Sequence, residues 1–181
     1  MRRHRQPVPG HHGLLIVSKV LLVSVALESP DQPEVIQLIA ELDAYQDSLY
    51  PPEARYALDL VSLTQDDVRF AVARDGEGEA IGCGAVVLLP GYGELKRLFV
   101  RPGSRGMGVA ERLSSFLEHE AVKAGCDCLK LETGPYQDAA LGFYARRGYR
   151  RCAAFGDYPE HPLSVFMEKP LHPDARGSDR G

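Results

Sequence analysis

Three glycines, Gly103, Gly106 and Gly108, fall within the stretch RPGSRGMGVAERL at 101–113, directly ahead of an amphipathic run. Glycines so placed let a backbone approach a bound group closely. The first turn of a following helix adds unpaired N–H groups and the positive end of its dipole. The chemistry on offer is anion binding, of the kind that seats a phosphate or diphosphate. The spacing sorts the phosphate loops that could occupy this place. A P-loop needs lysine and a hydroxyl after its last glycine, whereas Val109 and Ala110 follow Gly108. A dinucleotide loop reads G-x-G-x-x-G, the reverse of the spacing here, and lacks its acidic residue about 20 positions on. The pattern R-x-x-G-x-[GA] is met at every specified position by Arg105, Gly106, Met107, Gly108, Val109 and Ala110. Taken alone, the hexamer is also compatible with an ordinary glycine-rich strand-to-helix turn.

Cysteine chemistry has less support. Cys126-x-Cys128 has neither redox nor zinc spacing, and Cys83 and Cys152 stand alone, which reads as reduced thiols of a cytoplasmic protein. No histidine is placed to activate Cys83: His119 lies among carboxylates of a helix face, and His161 and His172 lie in a loop and a tail. Neither metal nor Cys–His catalysis is expected. A net charge of −4, with 44% hydrophobic and 25% charged residues, describes an ordinary globular chain and gives no reason to expect nucleic acid or a membrane as partner.

The elements that must carry the loop follow from periodicity. A basic tail over 1–18 precedes a first strand at 19–27; Lys19 interrupts the apolar stretch that would otherwise suggest a leader peptide. Val35, Ile36, Leu38, Ile39, Leu42, Tyr45 and Leu49 keep helical spacing down to the prolines at 51 and 52, and a short helix is expected at 54–62. Strands follow at 68–75, with Val68, Phe70 and Val72 inward, and at 80–89, where Gly82 and Gly84 mark a bulge or a close approach. A strand at 94–100 leads into the glycine loop and a helix over 107–124. Then come a strand at 128–133, a helix at 138–148 and closing strands in YRRCAAF and LSVFMEK, with a tail over 171–181. The fold class is α/β with a mixed sheet, β-α-α-β-β-β-α-β-α-β-β, in one domain over 19–170, whose parallel unit should cross over right-handed.

The hexamer together with ELKRLFVRP before it and ETGPYQDAALGFYARRGY after it resembles the GCN5-related N-acetyltransferases. In that family the last motif usually reads N-x-x-A-x-x-x-Y-x-x-x-G-[FY]; here Gln137, Ala140, Tyr144, Gly148 and Tyr149 occupy it, glutamine replacing asparagine. The resemblance covers residues 68–168 by motif and 19–67 only by element order. It implies acetyl-CoA as co-substrate and transfer to a primary amine of a small molecule or peptide, in a ternary complex. The N–H groups from Arg105 to Ala110 would hold the pyrophosphate. Leu98, Phe99 and Val100, on a strand splayed from its neighbour, would pair with pantetheine, and Gln137 would add a polar contact. Tyr144 is implied as general acid and cofactor contact. Glu94 is implied as base acting through water, with Glu132 in reserve or water alone. Tyr50, Arg55 and Tyr56 border the acceptor segment, open to an acidic or aromatic small molecule or a peptide amine, and FGDYPEHPLSV could lean over the same opening. A homodimer is left open. From another class, a non-catalytic acetyl-CoA-binding module shares every loop feature.

Overall fold

A computed structural model describes residues 22–171. The elements are β1 (Ser24–Leu27), α1 (Pro33–Asp47), α2 (Leu60–Leu63), β2 (Val68–Arg74), β3 (Ala80–Leu89), β4 (Tyr92–Val100), α3 (Val109–Lys123), β5 (Cys128–Thr133), α4 (Asp138–Arg146), β6 (Arg150–Arg151) and β7 (Val165–Pro170). One seven-stranded sheet runs β1-β2-β3-β4-β5-β7-β6, antiparallel throughout except for the parallel pair β4–β5. The mixed α/β class expected from periodicity is the one formed. The first three residues of the expected strand at 19–27, and the tails over 1–18 and 172–181, lie outside the described residues.

Helices cover both faces of the sheet. On one, α1 and α2 set Val35, Leu38, Leu42 and Leu63 against Phe70, Val72, Cys83, Ala85 and Phe99. On the other, α3 sets Leu113, Leu117 and Ala121 against Ala71, Ala73, Val86 and Leu129. Strand β2 is therefore buried on both sides: Phe70 and Val72 face α1 as the alternation predicts, yet Ala71 and Ala73 are equally covered. Small residues on the second face let α3 come close. A Cβ on Gly82 would stand 3.1 Å from Leu113 Cδ1 and 2.9 Å from the Phe99 carbonyl, and one on Gly84 would stand 2.9 Å from Leu117 Cδ1. These glycines mark a close approach, as the second of the two expectations had it.

The bulge lies across from them. Cys83 pairs with Phe99 but Ala85 pairs with Lys96, so β4 carries one extra residue near Arg97. Arg97 takes φ +59°, a left-handed conformation rarely adopted by a side chain of its size. Beyond this point β4 goes its own way. It pairs with β5 only at Gly93–Leu129 and Glu94–Lys130, and the two strands diverge over their C-terminal halves. That wedge, opening at the C-terminal ends of parallel strands, is where an α/β sheet offers a crevice.

Two expected elements differ. In place of one helix at 54–62 there are a 3-10 turn at Pro52–Ala54 and the single turn α2, whose Asp59 side chain caps it by accepting from the Ser62 N–H at 2.8 Å. YRRCAAF yields only Arg150–Arg151 as strand; the rest runs into a long loop toward β7.

Candidate active site

The glycine loop joins β4 to α3. Gly108 is the residue preceding the first helical turn, at φ +77°, and Gly106 has φ +74°. A side chain in the left-handed region costs roughly 1–2 kcal/mol, so both positions need glycine. Cβ atoms here would point into open space. The backbone N–H groups of Gly106, Met107, Gly108, Val109 and Ala110 have no backbone partner among the described residues, while that of Arg105 bonds the Pro102 carbonyl at 3.3 Å. Arg105 serves instead through its side chain: Nε donates to the Val100 carbonyl at 2.9 Å, and the guanidinium lies over the Phe99 ring at 5.8 Å. It locks the loop to the strand end. Five free donors at the head of a fifteen-residue helix make a diphosphate cradle.

Beside the cradle, the wedge opens into a cleft. Tyr50, Arg55 and Tyr56 line one side, Lys96, Arg97 and Leu98 of β4 another, and Glu132, Gln137 and Tyr144 the third. The structure thus brings Tyr144, Glu132, Gln137, Leu98, Tyr50 and Arg55 to one cavity, although they are spread over nearly a hundred positions of sequence. Phe99 and Val100 turn their side chains into the core, leaving backbone for any pantetheine contact.

Tyr144 on α4 is enclosed on all sides but the cavity. Its ring is edge-on to Phe143 and Tyr149 at 5.4 and 5.5 Å, and burial holds its hydroxyl well above the ordinary phenol value. Gln137, the residue before α4, accepts through Oε1 from Thr133 Oγ1 at 3.1 Å and from the Gly134 N–H at 3.4 Å. Glutamine at this place therefore ties α4 to the end of β5. Glu132, near the C-terminal end of β5 and lining the cleft, is raised above the usual carboxylate range by burial, opposed by a hydrogen bond from Ser164 and by the nearby Lys96. It has no ion-pair partner among the described residues.

Glu94 is placed differently. It is buried at the paired end of β4, behind the cleft wall, where Oε1 accepts from the Tyr158 hydroxyl and lies 3.2 Å from Lys96 Nζ. Arg55 is committed as well: it pairs with Asp47 and, at 3.0 Å, with Asp43, which also takes Arg97 at 2.7 Å. Tyr50 accepts from the Tyr136 N–H at 3.0 Å and stacks on its ring at 5.5 Å. Sequence reasoning missed Tyr158 and Asp43; the alternative it held for Glu94, a partner of Lys96 or Arg97, is met by Lys96. Tyr158 belongs to the FGDYPEHPLSV segment that was expected to lean over the opening, and the segment does so, with Leu163 lining the cleft.

The Tyr50 hydroxyl seat exists only because residue 134 is glycine. A Cβ there would fall within 1.9 Å of the Tyr50 hydroxyl. Gly134→Ala is expected to cost about 1–3 kcal/mol, read as a lowered Tm, with a raised acceptor KM because Tyr50 must move; an unchanged Tm would show that Tyr50 is not held there.

Cys83, by contrast, is inert. Its thiol is buried beneath α1, donates to the Arg97 carbonyl at 3.5 Å and is pushed up to about 12 by burial.

A splayed parallel pair with an anion cradle at its mouth defines an acyltransferase that draws its acyl group from an acyl-CoA. The chain matches the model of the Acetyltransferase (GNAT) family over residues 34–149, and it belongs to that family. It is 48% identical over 82% of its length to an IAA acetyltransferase of Azospirillum brasilense, covering 98% of that protein. A crystal structure from Klebsiella pneumoniae, of a protein assigned to the acyl-CoA N-acyltransferases, superposes with a TM-score of 0.71 at 41% identity, over 83% of this chain and 98% of that one. The PaiA N-acetyltransferase of Thermoplasma acidophilum, solved with coenzyme A, shares the fold at 17% identity and a TM-score of 0.63, over 82% of this chain and 98% of that one. The chain is an acetyltransferase whose co-substrate is acetyl-CoA, and the free N–H groups of the glycine loop fit the diphosphate of that group. Among the described residues no helix is long and apolar enough to cross a membrane.

Proposed function

We propose that the chain transfers the acetyl group to a primary amine of a small molecule or peptide, by direct attack within one ternary complex. The observation that carries this is the sharing of one cleft by Tyr144 and Glu132, beside the cradle and the strand wedge. Bound acetyl-CoA supplies an activated thioester carbonyl. The loop N–H groups from Gly106 to Ala110 hold its diphosphate, and the edge of residues 98–100 left unpaired by β5 lines up its pantetheine as an added strand. An N–H of this strand end donates to the carbonyl oxygen as negative charge gathers there.

An alkyl ammonium, with a pKa near ~10, attacks only after losing its proton. Glu132 takes that proton: it lines the cleft and forms no ion pair among the described residues. Glu94, the base implied by resemblance, instead sits behind Lys96 and Tyr158, where it holds rather than abstracts. Tyr144 donates to the departing sulfur. The inertness of Cys83 supports direct attack over an acetylated enzyme, since its thiolate is inaccessible at neutral pH.

The test is CoA-thiol release across a panel of primary amines. Release with any acceptor class supports the transferase; tight acetyl-CoA binding with no turnover across the panel supports the non-catalytic module. The base assignment has its own expected result. Glu132→Gln should lower kcat/KM by about 10²-fold or more and remove the acid limb of the pH profile. The sign follows from the buried carboxyl: it is protonated and idle below its raised pKa, and activity appears as pH climbs through that value, above the usual carboxylate range. A retained acid limb would return the role to Glu94 or to water.

A further inference from the structure

Glu94, Lys96 and Tyr158 close a ring of polar contacts at one wall of the cleft. Lys96 Nζ lies 3.2 Å from Glu94 Oε1 and donates to the Tyr158 hydroxyl at 2.5 Å and to the Tyr56 carbonyl at 2.9 Å. The Tyr158 hydroxyl donates to the same Glu94 oxygen. Both charged side chains are largely covered, Lys96 at 14% and Glu94 at 9% exposure. Tyr158 is itself held firmly, its ring edge-on to Tyr56, Phe155 and Phe166 at 5.1, 5.3 and 5.6 Å. A lysine stem is flexible, and burying it in one rotamer costs conformational entropy. A hydroxyl fixed by three rings offsets that cost by giving the ammonium a stationary acceptor.

Lys96 and Glu132 line the same cleft, from neighbouring strands β4 and β5. The groups around that carboxyl are Lys96 and Glu94 from β4, Tyr158 and Ser164 from the loop and strand start before β7, and Tyr50 from the segment after α1. Lys130, two positions back on the same strand, pairs with Glu168 of β7 at 3.6 Å instead. A hydrogen bond from Ser164 and, after it, the Lys96 cation favour the ionised Glu132, and Glu94 opposes them.

We propose that Tyr158 is a positioning residue: it clamps the Glu94–Lys96 pair so that the Lys96 ammonium stays on the cleft wall toward Glu132, and thereby sets the pH at which Glu132 accepts the acceptor's proton. The inference rests on Glu132 as the proton acceptor of the proposed function. Its physical content is that two neighbouring charges of opposite sign must move Glu132 in opposite directions. Removing a nearby cation disfavours the carboxylate, and removing a nearby anion favours it.

The experiment is a pH profile of kcat/KM for four variants, paired with an NMR titration of the Glu132 side-chain carboxyl that needs no turnover. Lys96→Met should move the acid limb and the NMR midpoint upward by about half a pH unit or more. Glu94→Gln should move both downward, with the acid limb kept. Tyr158→Phe retains the ring packing but releases Lys96 toward Glu94, so it should move both upward by less than Lys96→Met, with Tm nearly unchanged. Unmoved midpoints in Lys96→Met and Tyr158→Phe, or shifts of one sign in Lys96→Met and Glu94→Gln, would overturn the clamp. Disappearance of the acid limb in Glu94→Gln, with Glu132→Gln keeping it, would overturn the base assignment, and the clamp as a tuner of catalysis with it. An acid limb lost only in Glu132→Gln, with opposed NMR shifts in the other variants, supports both.

Discussion

Gly108→Glu is expected to lower acetyl-CoA affinity by at least about 10²-fold, roughly 2.7 kcal/mol, while the protein stays folded. Three effects add at this one position. The backbone stands at φ +77°, so any side chain there is strained. The residue immediately precedes the first turn of α3, where the unpaired N–H groups of the loop converge. A carboxylate placed there would take those donors for itself and set a negative charge where a diphosphate must lie. A Cβ there meets no core atom, the nearest being Glu111 Oε2 at 4.0 Å, so the damage stays with the ligand. Gly108→Ala separates the terms, since it keeps the strain and omits the charge; it should lose clearly less affinity. Calorimetric titration with acetyl-CoA reads both, with circular dichroism confirming the fold. Equal affinity in Gly108→Glu and the parent chain would remove the diphosphate from this loop.

The loop was legible in the sequence because its chemistry is local. Glycine spacing, an apolar run with helical period and the strand before it all lie within about thirty residues, and each is dictated by backbone geometry rather than by distant partners. The element order was legible for the same reason. What escaped was whatever depends on residues far apart in the chain. Nothing in YPPEARY announces that Arg55 will be held by Asp43 and Asp47, or that Asp43 will also hold Arg97 across fifty-four positions. Arg97 owes its unusual backbone to a bulge that only the pairing of β3 with β4 creates. Tyr158 carries no periodic signal, lying between Gly156 and Pro159 in a loop, and its role appears only when that loop meets β4 sixty-four positions earlier.

Glu94 shows the same limit within the site. Its place at the head of the central strand was readable, and so was a pairing with Lys96 two positions on; the Tyr158 hydroxyl that also bonds it was not. In the fold Lys96 and Tyr158 stand in front of it, and the cleft-facing carboxylate is one strand over. The two-faced burial of β2 has a similar origin: alternation located the α1 face, whereas the alanines on the other face give no hydrophobic signal and are buried because α3 packs there. Small residues are chosen for closeness of approach, and closeness is a property of two elements together.

Tyr144→Phe is expected to lower kcat by roughly 10²-fold while changing acetyl-CoA affinity by less than about threefold. The substitution removes one hydroxyl and keeps the ring that packs against Phe143 and Tyr149, so the enclosure of α4 against the sheet is preserved. Burial raises the phenol above its ordinary value of ~10, which keeps the proton on Tyr144 at neutral pH. In the proposed mechanism the carboxyl accepts and the hydroxyl donates within one cleft, their ordinary values lying far apart. The donor's worth is realised as charge develops on the departing sulfur, so its loss belongs in kcat rather than in binding. It follows that the basic side of the pH profile should not move in Tyr144→Phe below about pH 9, since the phenol does not titrate there. Stopped-flow measurement of thiol release under single turnover isolates the step. A full-rate Tyr144→Phe would reduce Tyr144 to a packed aromatic and leave sulfur to depart unassisted; a large loss of acetyl-CoA affinity would assign the hydroxyl to binding instead.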